Sequence, residues 1–469
     1  MMNREQNQQL GEVIQQFIHS YIASFNNIRS QKVFNIADGE TIAQLRGMGF
    51  PKKGRPVREV VDGMMKSVYP HQAFMQHPRC FAFIPSPMSL LSWFGDIMTS
   101  AYNPHAGSWV QSSSASFIEQ EVIRWMCDQA GYPDTAGGLF MSGGSMSNLT
   151  ALAAARSARL SEHEYDNGIA YVSEQTHSSV SKGLRILGFR ADQIRKIPSD
   201  ENFRMDISAL EKAVIDDRAV GKKPFAIIAT AGTTNTGSID PLNEIADLCE
   251  KHNIWLHVDG AYGASILVSS KYKPLLSGIS RSDSISWDAH KWLMQTYCCS
   301  VILVKEKQHL RNCFSTHPEY LKDAETDEEQ INYWDMGPEL TRPARSLKLW
   351  MTLQALGTNA VGEAIEHGVQ LAEWAEDEIK KHNHWEIVSP AQLAIVNFRY
   401  APTGLSDQEL DSLNKRISQE MVKNGYASVL TTQLHGKTVL RICAIHPDTT
   451  EDEMRNTIQL LANIGRSIE

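Results

Sequence analysis

Leu10, Val13, Ile14, Phe17, Ile18, Tyr21, Ile22 and Phe25 recur three and four positions apart, the period of a helix with one apolar face. A helix this apolar, ahead of any stretch able to form its own core, must pack on something, and a second subunit is one candidate. PKKGRP (51–56) breaks the pattern and reads as a connector. From about residue 90 apolar runs and helical patterns alternate. GGLFMSGGSMSNLTALAAARSARL reads as strand, glycine-rich turn and alanine-rich helix, and GIAYVSEQTHSSVSKGLRILG repeats the order. MDISALEKAVIDDRAVGKK predicts a helix capped by Asp206. FAIIATAGTTNTGSIDPLNEIADLCEKHNIWLHVDGAYGAS gives strand, polar turn, helix, strand and a second polar turn; DSISW and SVILV add two short strands.

That alternation predicts an α/β fold, a mainly parallel sheet wrapped by helices. Past residue 350 the pattern changes to a helical stretch over 351–381, then IVNFRYA and VLRICAI as strands with helices around them. The expected division is a helical segment over 1–88, a large ligand-binding domain over 89–350 and a small α+β domain over 351–469. KDAETDEEQ (322–330) reads as an exposed loop.

Composition narrows the classes. With 45 basic against 54 acidic residues, the net charge of −9 is spread along the chain, without the basic stripe that nucleic acid requires. No apolar run approaches the ~18 residues of a membrane span, and MMNREQNQQL lacks the apolar core of a secretory signal, so a cytoplasmic location is expected. Seven cysteines without a C-x-x-C pair suggest reduced thiols, with no disulfide frame and no metal site.

In such folds ligands bind beyond the carboxyl ends of strands, and four strand-end turns carry unusual polar residues. SGGSMSN (142–148) offers backbone amides and hydroxyls to an anion, although a plain glycine turn reads the same way; it has neither G-x-G-x-x-G nor a P-loop lysine. EQTHSSVSKG places His177 in a loop, where a lone histidine is more often a structural hydrogen-bonder. HVDGAYGAS ends a strand on Asp259, a carboxylate at the sheet mouth or a helix cap. SWDAHKWLMQ sets Asp288, His290 and Lys291 between apolar residues. Together the four parts fit pyridoxal phosphate. Lys291 would form the Schiff base, its pKa lowered by burial. Asp259 would keep the pyridine nitrogen protonated, His177 would stack on the ring, and the helix after Ser147 would hold the phosphate. A metal or a hydride-carrying cofactor does not account for all four.

At these residues the chain resembles the group II pyridoxal-phosphate-dependent amino-acid decarboxylases, in the aromatic-L-amino-acid decarboxylase branch. HPRCFAFIPSP, FIEQEVIRWM, SGGSMSN, QTHSSVSKGLRILG, ATAGTTNTGSIDP, WLHVDGAYGAS, SDSISWDAHKWLMQTYCCS, EYLKD and RSLKLW carry the likeness in family order from about residue 77 to 350. GDIMTSAYN, ELTRPAR, WEIVSPAQ and VLRICAIHP are shared with bacterial tryptophan decarboxylases.

The resemblance implies a fold type I pyridoxal-phosphate enzyme and a homodimer clasped by its N-terminal helices. It implies Lys291 as the cofactor lysine, Asp259 as the ring-nitrogen partner and His177 as the stacking residue. Thr234 matches a threonine near the ring substituents, Ala261 the small residue beneath the ring, Ser145, Met146 and Ser147 the phosphate cradle, and His290 a neighbour joining it. Tyr320 matches a loop tyrosine that protonates the substrate Cα. Asp288 departs from the pattern: animal members carry asparagine there, and a carboxylate would repel phosphate.

Phe83, Pro85, Trp93, His105, Trp109 and Trp334 fall in segments that border the substrate in the family, and an aromatic lining suits tryptophan or phenylalanine. Arg79 is the nearest basic candidate for an acidic side chain. The alternatives are a tyrosine or dopa decarboxylase, or a non-decarboxylating enzyme of the same fold such as an aminotransferase. For the last, Arg441 is the candidate carboxylate clamp. A non-catalytic binding protein would be expected to have lost Lys291, Asp259 or Tyr320.

Overall fold

The computed structural model describes residues 4–316 and 330–468. Tyr320 and 322–329 of the acidic stretch lie outside the described residues. The larger sheet has seven strands: β1 (Gly137–Met141), β2 (Gly168–Ser173), β3 (Ile194–Ile197), β4 (Lys223–Thr230), β5 (Trp255–Asp259), β6 (Ser284–Trp287) and β7 (Ser300–Val304). Their order is β1-β7-β6-β5-β4-β2-β3, and within it β7 runs against both its neighbours while the other pairs are parallel. Every residue of β2 and all but the first of β4 are buried. Helices cover both faces of such a sheet, which is why these strands are near-continuous apolar runs and do not alternate.

The helices are α1 (Arg4–Ser24), α2 (Gly39–Met48), α3 (Val57–Ser67), α4 (Leu90–Tyr102), α5 (Trp109–Ala130), α6 (Gly144–Arg159) and α7 (Ser178–Ile186). They continue as α8 (Ile207–Ala219), α9 (Leu242–His252), α10 (Gln308–Phe314), α11 (Ser346–Leu356), α12 (Thr358–Ile379), α13 (Asp407–Asn424) and α14 (Glu451–Ile468). Small residues let α6 lie close on the sheet: Ala151, Ala153, Ala154 and Ala155 are all buried. The Asp206 carboxylate caps α8 by accepting from the Ala209 amide at 3.0 Å, as its sequence predicts.

A second, antiparallel sheet runs β10-β11-β9-β8, from β8 (Trp385–Gln392), β9 (Ile395–Tyr400), β10 (Leu430–Leu434) and β11 (Lys437–Cys443). It shares one apolar core with α12, α13 and α14, which Phe81 joins from the N-terminal side. The helix expected over 351–381 is two helices, because Gly357 adopts φ 78° and ends the first. The first packs on α4 and α5, and the second turns to the antiparallel sheet. β8 contains Pro390 and two register shifts, which hide its alternation, and β10 is a short, polar edge strand. Among the described residues no helix is long and apolar enough to cross a membrane.

One buried ion pair ties these layers together. Glu119 on α5 and Arg342, just before α11, are both fully buried, and Arg342 Nη2 lies 2.6 Å from Glu119 Oε1. Arg342 also donates to the carbonyls of Ala106 and Phe140 at 2.7 and 2.8 Å, while the Phe140 amide donates to Glu119 at 2.9 Å. The two links to Phe140 bear directly on β1. Glu119→Ala would strand the Arg342 charge without water and is expected to cost about 3–5 kcal/mol of stability. Chemical denaturation followed by circular dichroism measures this, and a loss below about 1 kcal/mol would contradict the role.

Candidate active site

The carboxyl ends of β1, β2, β4, β5 and β6 lie along one edge of the sheet, together with the amino end of the reversed β7. The turns leaving them enclose a cavity of about 350 Å³, within the range of about 300–1,000 Å³ usual for small-molecule sites. Ser142, Gly143, Gly144 and Ser145 line it after β1, His177 and Ser179 after β2, and Thr230, Gly232 and Thr234 at the end of β4. Asp259, Ala261 and Tyr262 come from the end of β5, and Asp288, His290 and Lys291 from the end of β6. Seven residues singled out from the sequence thus meet in one place: Lys291, Asp259, His177, Thr234, Ala261, Ser145 and His290.

Lys291 Nζ lies 3.0 Å from Asp288 Oδ2, and His290 Nε2 lies 3.6 Å from the same oxygen. The Ser300 hydroxyl donates to Asp288 Oδ1 and itself pairs with the Ser147 hydroxyl at 2.7 Å. Burial acts against the Lys291 ammonium, yet the carboxylates of Asp288 and Asp259 outweigh it and hold the pKa above the usual lysine value. The expected lowering by burial is therefore corrected: a carboxylate at hydrogen-bond distance reverses its sign. Asp288 answers in kind. Burial alone would raise its pKa, but Lys291, His290 and the Ser300 hydroxyl keep it below the usual carboxylate range.

Asp259 accepts from Asn148 Nδ2 at 2.9 Å, Ser286 Oγ at 3.2 Å and the Ala261 amide at 3.2 Å. His177 occupies the N-cap of α7, its Nδ1 lying 2.8 Å from the Ser179 hydroxyl. The capping role and the place in the cavity wall belong to the same ring. Ser147 is fully buried and acts one step behind the wall, on Ser300, while Met146 packs against the main core. Asn148, Ser286 and Ser300 do not stand out in the sequence, because single serines and asparagines beside strand ends are common. For Asn148 the signal was its place at the end of SGGSMSN.

The expected side-chain pocket is placed elsewhere. Phe83, Pro85, Trp93, His105 and Trp334 do not line the cavity of a single chain. Phe83 and Pro85 lie on the segment whose Ser86 hydroxyl donates to the His290 carbonyl. Trp93 packs on Tyr21 at 4.6 Å, in a separate hollow of about 490 Å³ lined by Phe17, Phe25 and Phe74. His105 meets Trp334 edge-on at 6.4 Å, and the Trp109 amide is taken by Asn332. Arg79 is bound to Glu453 at 3.0 Å, far from any ligand role.

The residues present fit pyridoxal phosphate. The first amides of α6 lack helical acceptors and open beside Gly143 and Gly144, as an anion site requires. A Cβ on Gly144 would come 2.8 Å from Asp288 Oδ2, so only glycine leaves the backbone open there. Thr230 Oγ1 is buried in the same wall without a partner. A lysine, a triply bonded carboxylate and a helix amino end suit an aldehyde, a basic ring nitrogen and a phosphate. A sheet of this order with these residues at its carboxyl edge defines a fold type I pyridoxal-phosphate enzyme.

The family model described as the pyridoxal-dependent decarboxylase conserved domain matches residues 40–401, and the chain belongs to that family. It is 40% identical to an aromatic-L-amino-acid decarboxylase of Bacillus atrophaeus, over 100% of this chain and 97% of that protein. It is 31% identical to an L-2,4-diaminobutyrate decarboxylase of Acinetobacter baumannii, covering 94% and 90% of the two chains. Among solved structures, Oryza sativa TDC with PLP and tryptamine superposes with a TM-score of 0.92 at 28% identity, covering 100% and 99% of the two chains. Catharanthus roseus tryptophan decarboxylase in complex with L-tryptophan gives 0.91 at 26%, with the same coverage. The protein is a carboxy-lyase that uses pyridoxal phosphate.

Asp288→Asn removes the carboxylate 3.0 Å from Lys291 and is expected to lower the lysine pKa. In cofactor-free protein, the rate at which Lys291 captures added pyridoxal phosphate, followed by visible absorbance, should then reach half-maximum at a lower pH than in the parent. An unchanged midpoint would show that another group holds the ammonium.

Proposed function

We propose that this enzyme decarboxylates an aromatic L-amino acid, tryptophan or phenylalanine ahead of tyrosine and dopa, releasing the arylalkylamine and CO₂. One observation carries the aromatic reading. Phe83 holds φ 58°, a conformation that costs a bulky residue about 1–3 kcal/mol, with its ring half exposed. Arg441 fixes it there: Nη1 donates to the Phe83 carbonyl at 2.5 Å, and Nε donates to the Asn235 carbonyl at 3.2 Å, next to Thr234 of the cavity wall. Strain is thus spent on holding an aromatic residue, its ring 6.4 Å from that of Phe34, on a segment tied through Arg441 to the residue beside Thr234. Arg441, the candidate clamp of an aminotransferase, is engaged in this support.

The bound cofactor supplies an electron sink for the bonds at the substrate Cα. In this reading Lys291 binds it covalently, Asp259 keeps the ring nitrogen protonated, and His177 and Ala261 cover the two ring faces. The α6 amides, Ser145 and His290 hold its phosphate, with Thr234 near the ring substituents. Tyr320, outside the described residues, would deliver a proton to Cα, a role that rests on the resemblance alone. Trp93, His105 and Trp334, outside the cavity of their own chain, would serve a site completed by a second copy.

A homodimer is supported by the apolar surface left open. Ile14 and Ile22 on α1, Phe50, Met64 and Met65 on α3, and Phe94 and Met98 on α4 are all exposed. Clustered exposure of this kind marks an interface. The division at 88 and 350 follows from the same reading: a clasp, a cofactor-holding body and a C-terminal domain whose Arg441 braces the Phe83 segment. The seven unpaired cysteines agree with a cytoplasmic location.

The test is to incubate the protein and pyridoxal phosphate with an equimolar mixture of the aromatic amino acids and diaminobutyrate, identifying amines by mass spectrometry. Tryptamine and phenethylamine are expected to lead; diaminopropane, tyramine or dopamine in the lead would overturn the proposal. In the same assay Tyr320→Phe should release CO₂ with less than the matching amine, and an unchanged ratio would remove the proton-donor role. Light scattering that gives a monomer mass would remove the dimer.

A further inference from the structure

We propose that His257 is a positioning residue for the cofactor site, acting through the Asn148 amide to fix both Asp259 and the tautomer of His177. The proposal rests on the reading of Asp259 as the partner of the cofactor ring nitrogen. His257 sits on β5 two residues before Asp259, fully buried.

Five side chains connect in one direction. Trp255 Nε1, which can only donate, lies 2.9 Å from Ser284 Oγ. Ser284 Oγ lies 2.8 Å from His257 Nδ1, and His257 Nε2 lies 3.0 Å from Asn148 Oδ1. Asn148 Nδ2 then lies 2.9 Å from Asp259 Oδ2 and 3.1 Å from Ser179 Oγ. The two ends set every proton between them. The indole at one end cannot accept, and the carboxylate at the other cannot donate while ionised. The amide must therefore give both protons away and accept with Oδ1. His257 must carry its proton on Nε2 and receive the Ser284 hydroxyl at Nδ1.

The branch through Ser179 reaches the second cofactor-facing group. Having accepted from Asn148, the Ser179 hydroxyl is free to donate to His177 Nδ1 at 2.8 Å, and the Ser179 amide donates to the same nitrogen at 3.3 Å. His177 Nδ1 is thereby an acceptor, and its proton lies on Nε2. Burial drives the His257 pKa down to about 4, with Asp259 and a hydrogen bond to the Ser284 backbone pulling the other way, so the ring at the head of the branch is neutral at pH 7. A neutral ring can accept at one nitrogen and donate at the other, as the chain requires. Without that donor the Asn148 carbonyl is buried and unpaired, and the amide can turn its oxygen toward Asp259. A carboxylate facing a carbonyl loses the donor that favours its ionised form.

The measurement is pyridoxal phosphate affinity, from fluorescence quenching of cofactor-free protein, with the visible spectrum of the bound cofactor and circular dichroism for folding. His257→Leu and Asn148→Ala are each expected to weaken affinity about tenfold and to move the visible maximum in the same direction as Asp259→Asn. His257→Gln, which keeps a donor where Nε2 stands, should restore both readouts. If Asp259→Asn weakens binding while folded His257→Leu and Asn148→Ala match the parent, the relay is overturned and the reading of Asp259 survives. If Asp259→Asn binds as the parent does, both fall. Should His257→Leu fail to fold, Asn148→Ala against His257→Gln decides, and parental behaviour of Asn148→Ala rejects the proposal.

Discussion

A lysine enclosed at the edge of a sheet must be given a counter-charge or give up its proton, and this chain gives it Asp288. The pair is costly to desolvate, and the surroundings are arranged to meet that cost. Ser300 from β7 donates to the carboxylate, Ser147 from α6 steadies Ser300, and His290 stands on the other side. Three elements distant in sequence therefore converge on one carboxylate. Remove it and β6, β7 and the start of α6 lose a common reference point. The same carboxylate, with Asp259, holds Lys291 in its charged form against the cost of burial. Asp288 is thus better described as the keeper of the lysine than as a phosphate ligand.

Much of this was legible in the sequence, for identifiable reasons. Strands buried on both faces are written as unbroken apolar runs, so β2, β4, β5 and β7 are visible without an alignment. Lys291 and Asp259 are visible because ionisable residues at strand ends contradict their apolar context, and His177 because it stands in the polar turn that follows a strand. What escaped was pairwise. The sign of the Lys291 shift depends on a contact of 3.0 Å, which adjacency in SWDAHKW suggests but cannot orient. The Asn148 amide is meaningful only because β5 brings His257 and Asp259 to the same face. Strand β8 escaped because its bulges and proline destroy the alternation that betrays strands.

Some stretches that carry the family likeness prove to be structural supports. Glu119 of FIEQEVIRWM meets Arg342 of ELTRPAR, and Asp96 of GDIMTSAYN meets Lys348 of RSLKLW at 3.1 Å. These pairs join α4 and α5 to α11 and to the segment leading into it. None of the four lines the cavity. A motif can persist in a chain because it holds the wall behind a site.

The reversal of β7 has a consequence for how the molecule is assembled. As an edge strand β1 pairs with β7 alone, and Met141 lies opposite Ser300. The first strand made therefore waits for the last before it has any neighbour. Closing so long a loop is slow, since chain entropy is lost before contacts repay it. The glycine turn that receives an anion follows β1, while the lysine follows β6. Until β7 is inserted between them, β1 has no strand partner, and the packing of α6 on β4, β5 and β6 alone joins the glycine turn to the lysine. A nascent chain that stops short of β7 carries every cofactor-facing residue described here but lacks Ser300, the hydroxyl that links Asp288 to α6.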